Sequence, residues 1–133
     1  MTPNVAANIL QATGHHYQTV EVFKALFLDE DKKLVRVVEL ARGDWDHVLI
    51  DPDLVLESAN YWEAFNVILS HNHPGEVAPV PSQADLDLTK YFRRYLRRYK
   101  VKVLDHIILG TDGYVSIKRD CPGFLRRIFS RIF

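Results

Sequence analysis

Residues 70–85 read SHNHPGEVAPVPSQAD, and His71, His73, Ser82 and Asp85 within them have types and spacings suited to a divalent cation and the chemistry it supports. The apolar run Val67, Ile68, Leu69 leads straight into Ser70, His71, Asn72 and His73. The histidines are therefore expected at the end of a buried strand, where residues two apart share a face and both imidazoles point to one spot. Pro74 and Gly75 stop that strand, and a loop follows to the point where Ser82 opens a helical pattern with Asp85 in its first turn. Two neutral imidazoles and one carboxylate suit Zn²⁺, and three protein ligands leave a fourth tetrahedral position open. The same residues admit plainer roles. His-x-His can be a pair of surface or hydrogen-bonded histidines, and Ser82-x-x-Asp85 reads as a capping box. A hydroxyl accepts and donates at once, so Ser82 can cap the helix and still direct its own proton elsewhere. Asp85 is more constrained: as a ligand it is expected to cap poorly.

The elements that must position these residues alternate along the chain. Thr2 as N-cap, Pro3 at the first helical position and Gly14 beyond the end bracket a helix over residues 3–12. Strands are expected over 20–28 and 34–40, joined by a polar turn, and Asp51 with Pro52 starts a second helix running to about residue 64. The histidine strand, a helix over 82–99, a strand over 101–109 and a short strand over 114–118 complete the pattern, with Thr111, Asp112 and Gly113 turning between the last two. Helices interspersed with strands predict a three-layer α/β domain.

Glu21 stands near the start of the apolar stretch 20–28, as either a solvated strand-end residue or a carboxylate held there for a reason. Glu39 competes with it and reads as structural. In the helix over 82–99, Leu88, Tyr91 or Phe92, Tyr95 and Tyr99 form the expected buried stripe, while Lys90, Arg93, Arg94, Arg97 and Arg98 fill the other face. No acid interrupts the run between Asp87 and Asp105. Such a stripe is a solvated face in most helices, and Arg93, Arg94, Arg97 and Arg98 are candidates for contact with DNA or another anionic partner.

Four separated motifs in order, Glu21 in VEVFKALFLD, then HNHPG, PSQAD and LDHIILGTDGYVSI, resemble the RadC family, a bacterial branch of the JAMM (MPN-plus) metalloprotease superfamily. The similarity runs over residues 19–118. It implies a three-layer mixed-sheet JAB/MPN domain resembling the cytidine-deaminase-like fold. It further implies that His71, His73 and Asp85 hold Zn²⁺, that Glu21 is the general base and that Ser82 stabilises the oxyanion. The implied reaction is hydrolysis of an amide or isopeptide bond in a peptide or protein, and the family carries a DNA-repair label. The chain departs from the family pattern in lacking the serine after HNHP and in a loop from His73 to Asp85 one residue longer; doubling a loop costs only ~0.6 kcal/mol in closure entropy. The N-terminus is short for the helix-hairpin-helix module that often precedes the domain. His106, in LDHIILG, matches the family's Asp-His pair and is expected to be a buried, hydrogen-bonded histidine rather than a ligand. The His-x-Glu and Pro-Cys-x-x-Cys of zinc deaminases do not occur.

The remaining composition narrows the setting. The chain has 133 residues and zero formal net charge, a size suited to one domain with one core. No long uncharged apolar run predicts a membrane span, and no signal peptide is evident, so a cytoplasmic protein is expected. Cys121 is the lone cysteine, which rules out an intrachain disulfide. The tail over 123–133, GFLRRIFSRIF, reads as a short amphipathic helix packed on the domain, a homodimer contact or a flexible end, with packing the expected role. His15, His16 and His47 have no constellation around them, although a His15–His16 pair could bind metal adventitiously. Three classes remain open: a zinc peptidase or isopeptidase, a nucleic-acid-associated accessory protein, and a metal-free interaction module.

Overall fold

The site sits where one strand end of a mixed sheet meets the start of a helix. A computed structural model describes residues 1–43 and 50–123. The elements in chain order are α1 (Pro3–Ala12), a single 3₁₀ turn (His15–Tyr17), β1 (Val22–Leu28), β2 (Leu34–Arg42), α2 (Pro52–Tyr61), β3 (Asn66–Asn72), α3 (Gln83–Arg97), β4 (Lys102–Leu109), β5 (Tyr114–Ser116) and α4 (Ile117–Asp120). The five strands are ordered β2-β1-β3-β4-β5, with β3 and β4 parallel and every other pair antiparallel. The parallel pair needs a crossover, and α3 supplies it.

Two faces of the sheet are covered, which explains why β1 and β3 are buried at every position. On one face Phe23, Ala25, Phe27, Val67 and Leu69 pack against Val55 and Ala59 of α2 and Leu88, Phe92 and Leu96 of α3. On the other, Leu26, Leu28, Ile68, Ile107 and Leu109 receive Ala6, Ala7 and Leu10 of α1. The layers are thus helix, sheet, helix, as the alternation predicts. Phe23, Phe27 and Phe92 are fully buried, each removing apolar surface worth about 1.5–3 kcal/mol.

Several boundaries move for identifiable reasons. The first strand begins at Val22 rather than residue 20, because the Asn72 side chain takes up the polar groups on either side of Glu21: its Oδ1 accepts from the Val22 N–H at 2.7 Å and its Nδ2 donates to the Val20 carbonyl at 3.0 Å. Helix α2 stops at Tyr61, short of residue 64. Glu63 takes a left-handed φ of 54° there, and the Ala64 N–H closes on the Ala59 carbonyl at 2.8 Å, a Schellman ending without glycine. The expected strand over 114–118 ends at Ser116, whose hydroxyl caps α4 by accepting from the Arg119 N–H at 3.1 Å, so Lys118 is helical. In α3 the buried stripe is Leu88, Phe92 and Leu96; of the alternatives Tyr91 and Phe92 it is Phe92 that is buried, Tyr95 is partly buried, and Tyr99 is exposed, contrary to the stripe read from spacing.

One irregularity bears directly on the site. Val67 pairs with Val103 but Ile68 pairs with Asp105, so Leu104 is an extra residue in β4. A bulge of this kind swaps the faces of everything beyond it. Leu104 packs with the α1 layer, and Asp105 pairs with a residue of that same layer. His106 is thereby turned to the α3 face, where Phe23 meets it edge-on with ring centroids 6.3 Å apart.

Candidate metal centre

His71 lies in the last turn of the β3 ladder and His73 just beyond it, both directed to the start of α3, where Asp85 waits. The His71 Nε2 is 3.1 Å from Asp85 Oδ1, the His73 Nε2 is 3.3 Å from Asp85 Oδ2, and the two Nε2 atoms are 3.0 Å apart. The three ligand atoms offered by His71, His73 and Asp85 all lie within 4.8 Å of one another. His71 is 1 % exposed at its side chain and His73 12 %, so the cluster opens to solvent on the His73 side. Two nitrogen lone pairs and a carboxylate converging in one buried place repel each other unless a proton or a cation sits between them, and this donor set fits Zn²⁺.

Helix α3 begins with a complete capping box. The Ser82 Oγ accepts from the Asp85 N–H at 3.0 Å, and Asp85 Oδ2 accepts from the Ser82 N–H at 2.8 Å. The expectation that Asp85 would cap poorly is therefore wrong. Each carboxylate oxygen has two lone-pair directions, and Oδ2 uses one for the cap while still facing His73. Burial works to raise the Asp85 pKa, but the hydrogen bonds from His71 and His73, the His71 charge and the Ser82 N–H together hold it well below the usual carboxylate range. Asp85 is thus ionised and available as an anionic ligand. The His73 pKa is raised, first by its hydrogen bond to Asp85 and against the effect of burial, with the charges of Asp85, Glu76 and Glu21 adding to it. Glu76 Oε2 lies 2.5 Å from His73 Nδ1; the approach is out of line with the ring N–H, so the contact is an ion pair rather than an aligned hydrogen bond.

Glu21 immediately precedes β1. Continuing the antiparallel register, in which Phe23 pairs with His71, sets Glu21 opposite His73 and on the same face. It is half-buried and near enough for its charge to act on His73. Asn72 holds the backbone on both sides of it, so the residue between the two histidines also fixes the carboxylate on the neighbouring strand; HNH in the sequence carried that signal unread. Glu39, the competing carboxylate, is exposed and paired with Arg42 at 2.6 Å, which fits the structural role expected of it. Ser82 is exposed at the helix start.

The loop that carries the chain from His73 to Ser82 is laid against the β4–β5 turn. The Thr111 N–H donates to the Glu76 carbonyl at 2.8 Å and the Asp112 N–H to the Val77 carbonyl at 3.1 Å. A Cβ at Gly110 would come within 2.5 Å of the Val77 carbonyl oxygen and 2.6 Å of that of Glu76. Glycine is required by close backbone approach, and the turn motif of the sequence gave no hint of that partner.

The other singled-out residues are not part of the three-ligand cluster. His106 is fully buried and hydrogen-bonded, as expected; burial, followed by the neighbouring His71, keeps its pKa well below that of a free histidine. His15 is fully buried with both ring nitrogens lacking a hydrogen-bond partner among the described residues, whereas His16 lies against Tyr17. Arg94, Arg97 and Arg98 are exposed on α3, whereas Arg93 is half-buried and donates to the Val103 carbonyl at 2.7 Å, anchoring the helix to β4. His47 and the tail beyond Gly123 lie outside the described residues. No helix among the described residues is long and apolar enough to cross a membrane.

A five-stranded mixed sheet covered by helices, with two histidines at a strand end and an aspartate in the first turn of the following helix, is the arrangement of a JAB/MPN-type domain. The chain belongs to the RadC-like JAB domain family, whose model matches residues 1–122. It is 41 % identical over 97 residues to a UPF0758 protein of Marinomonas sp. (strain MWYL1), covering 73 % of this chain and 43 % of the relative. It is 35 % identical over 116 residues to a UPF0758 protein of Cellvibrio japonicus (strain Ueda107), covering 87 % and 51 %. The chain thus spans about half the length of these curated relatives.

Proposed function

We propose that this domain is a zinc-dependent metallohydrolase that cleaves amide or isopeptide bonds in a peptide or protein substrate. The observation that carries the proposal is the convergence of His71 Nε2, His73 Nε2 and the Asp85 carboxylate within 4.8 Å at a site open on one side. His71, His73 and Asp85 would hold the ion. Zn²⁺ bound there would supply Lewis acidity and a water acidified toward neutral pH. Glu21, opposite His73, takes the proton of the attacking water and returns it to the departing amine. The Ser82 hydroxyl already accepts from the Asp85 N–H, so its own hydrogen is left to donate to the oxyanion that develops on the carbonyl; such a donor is worth ~3 kcal/mol. No protein nucleophile is needed.

The test is zinc stoichiometry on protein purified without a metal-binding tag. Wild type is expected to carry close to one zinc per chain and Asp85→Ala to carry almost none while keeping its fold. Well-folded wild type that takes up no zinc would overturn the proposal.

A second function is favoured by one feature of α3. Arg93, Arg97, Lys100 and Lys102 surround a cleft of about 220 Å³ floored by Val101 and Val103. Burial and then the adjacent Arg97 lower the Arg93 pKa to about 10, so an anion placed there would relieve crowding between like charges. In this reading the domain is an accessory protein that docks the DNA backbone. Duplex binding should then weaken steeply with salt, with a log–log slope of roughly −0.9 for each phosphate neutralised, and Arg97→Ala with Lys102→Ala, which removes two of the cations lining the cleft, should flatten that slope; binding indifferent to salt would remove the idea.

A further inference from the structure

Behind His71, on the side away from the cation site, runs a chain of hydrogen bonds whose direction can be worked out from one end. The Thr89 Oγ1 is 2.8 Å from the Asp85 backbone carbonyl. A carbonyl only accepts, so the single hydroxyl hydrogen of Thr89 points to it. Toward His106 Nδ1, 2.6 Å away, Thr89 therefore presents a lone pair, and the hydrogen in that contact belongs to His106 Nδ1. His106 is fully buried, with Thr89 on one ring nitrogen and His71 on the other and, among the described residues, no carboxylate on either. A neutral imidazole carries one N–H, so the His106 Nε2 is a bare acceptor. It lies 2.8 Å from His71 Nδ1, which must carry the hydrogen between them.

We propose that Thr89 and His106 are positioning residues that fix the hydrogen of His71 on Nδ1 and so reserve its Nε2 for the metal. The proposal rests on the metal reading of the His71, His73 and Asp85 cluster and extends it to two residues that do not touch the ion. The relay begins and ends on the same residue. The Asp85 carbonyl orders the hydroxyl of Thr89 one helical turn later, and the His71 ring at the far end faces the Asp85 carboxylate at 3.1 Å. Helix α3 thereby sets both the anionic ligand and the tautomer of its neighbour. The Leu104 bulge is what makes this possible, since without it His106 would face α1 and Asp105 would face the site. Partners of this kind behind a ligating histidine govern metal affinity by roughly 10–100-fold.

The experiment compares wild type, Thr89→Val and Thr89→Ser in two measurements: zinc affinity by chelator competition, and ring-nitrogen NMR of the zinc-free chain labelled at histidine. In wild type, His106 should show a protonated Nδ1 and a bare Nε2. Thr89→Val, which keeps the shape and loses the hydroxyl, should disturb that tautomer and lower zinc affinity by roughly 10–100-fold; Thr89→Ser should restore both. A wild-type His106 protonated on Nε2, or a Val variant with unchanged affinity, would overturn the proposal. Absence of zinc binding in wild type would remove the metal reading, and the ring-nitrogen spectrum would still decide the relay.

Discussion

A Glu21→Gln variant is expected to keep its zinc and to lose amide hydrolysis by about 100-fold or more, since a positioned base contributes roughly 10²–10⁴-fold. The amide has nearly the shape of the carboxylate and can orient a water, but it cannot take a proton. Glu21 is not among the atoms that form the three-ligand cluster, so its removal leaves that cluster intact. Extending the β1–β3 register two residues past its last pair, Phe23 with His71, brings Glu21 opposite His73, and Asn72 ties down the backbone at Val20 and Val22. The measurement is turnover of a peptide or isopeptide substrate alongside zinc content, for wild type, Glu21→Gln and His71→Ala. His71→Ala should lose both zinc and turnover. Full hydrolysis by the Gln variant would move the base to another residue.

Local chemistry made much of this arrangement legible in the sequence. Thr2 with Pro3 marked α1 to the residue, and the two-residue spacing of His71 and His73 marked that both imidazoles would point to one spot. The Ser82-x-x-Asp85 box marked the start of α3. What stayed hidden depends on contacts between residues distant in sequence or on a register shift. The face of β4 is decided by the bulge at Leu104, and VKVLDHIIL contains no glycine or proline to announce it. Tyr91 and Phe92 both fit helical spacing against Leu88; the sheet beneath α3 chose Phe92, which lies 5.9 Å from Phe23 between ring centroids. Thr89 could have been noticed, because a threonine inside a helix commonly bonds the carbonyl four residues back. Its second bond, to His106, could not, since it crosses from helix to sheet. The separation of Arg93 from the other arginines has the same cause: spacing gives the helix face, but only the position of β4 shows that Arg93 reaches the Val103 carbonyl.

Acid should destabilise this protein through a residue outside the metal site. His15, in the 3₁₀ turn after α1, is fully buried, and both its ring nitrogens lack a hydrogen-bond partner among the described residues. Burial, and then the nearby Lys24, lower its pKa to about 3, against about 6.5 for an unfolded histidine. Between those values the unfolded chain binds a proton that the folded chain refuses, so stability is complete above about pH 6.5 and falls as the pH drops toward 3. At 1.36 kcal/mol per unit, acidification from pH 6.5 to 4.5 should cost about 2 kcal/mol through this residue. His73 and Asp85 respond to acid as well, and comparison with His15→Leu separates the two contributions, since the variant retains the cluster and loses only the buried imidazole. Urea unfolding at the two pH values should show a decline that is about 2 kcal/mol shallower in His15→Leu. Equal declines in the two proteins would mean that His15 is protonated in the fold. In that case it would need an acceptor in the 3₁₀ turn that the present geometry does not provide, and the packing of α1 against the sheet would have to be revised with it.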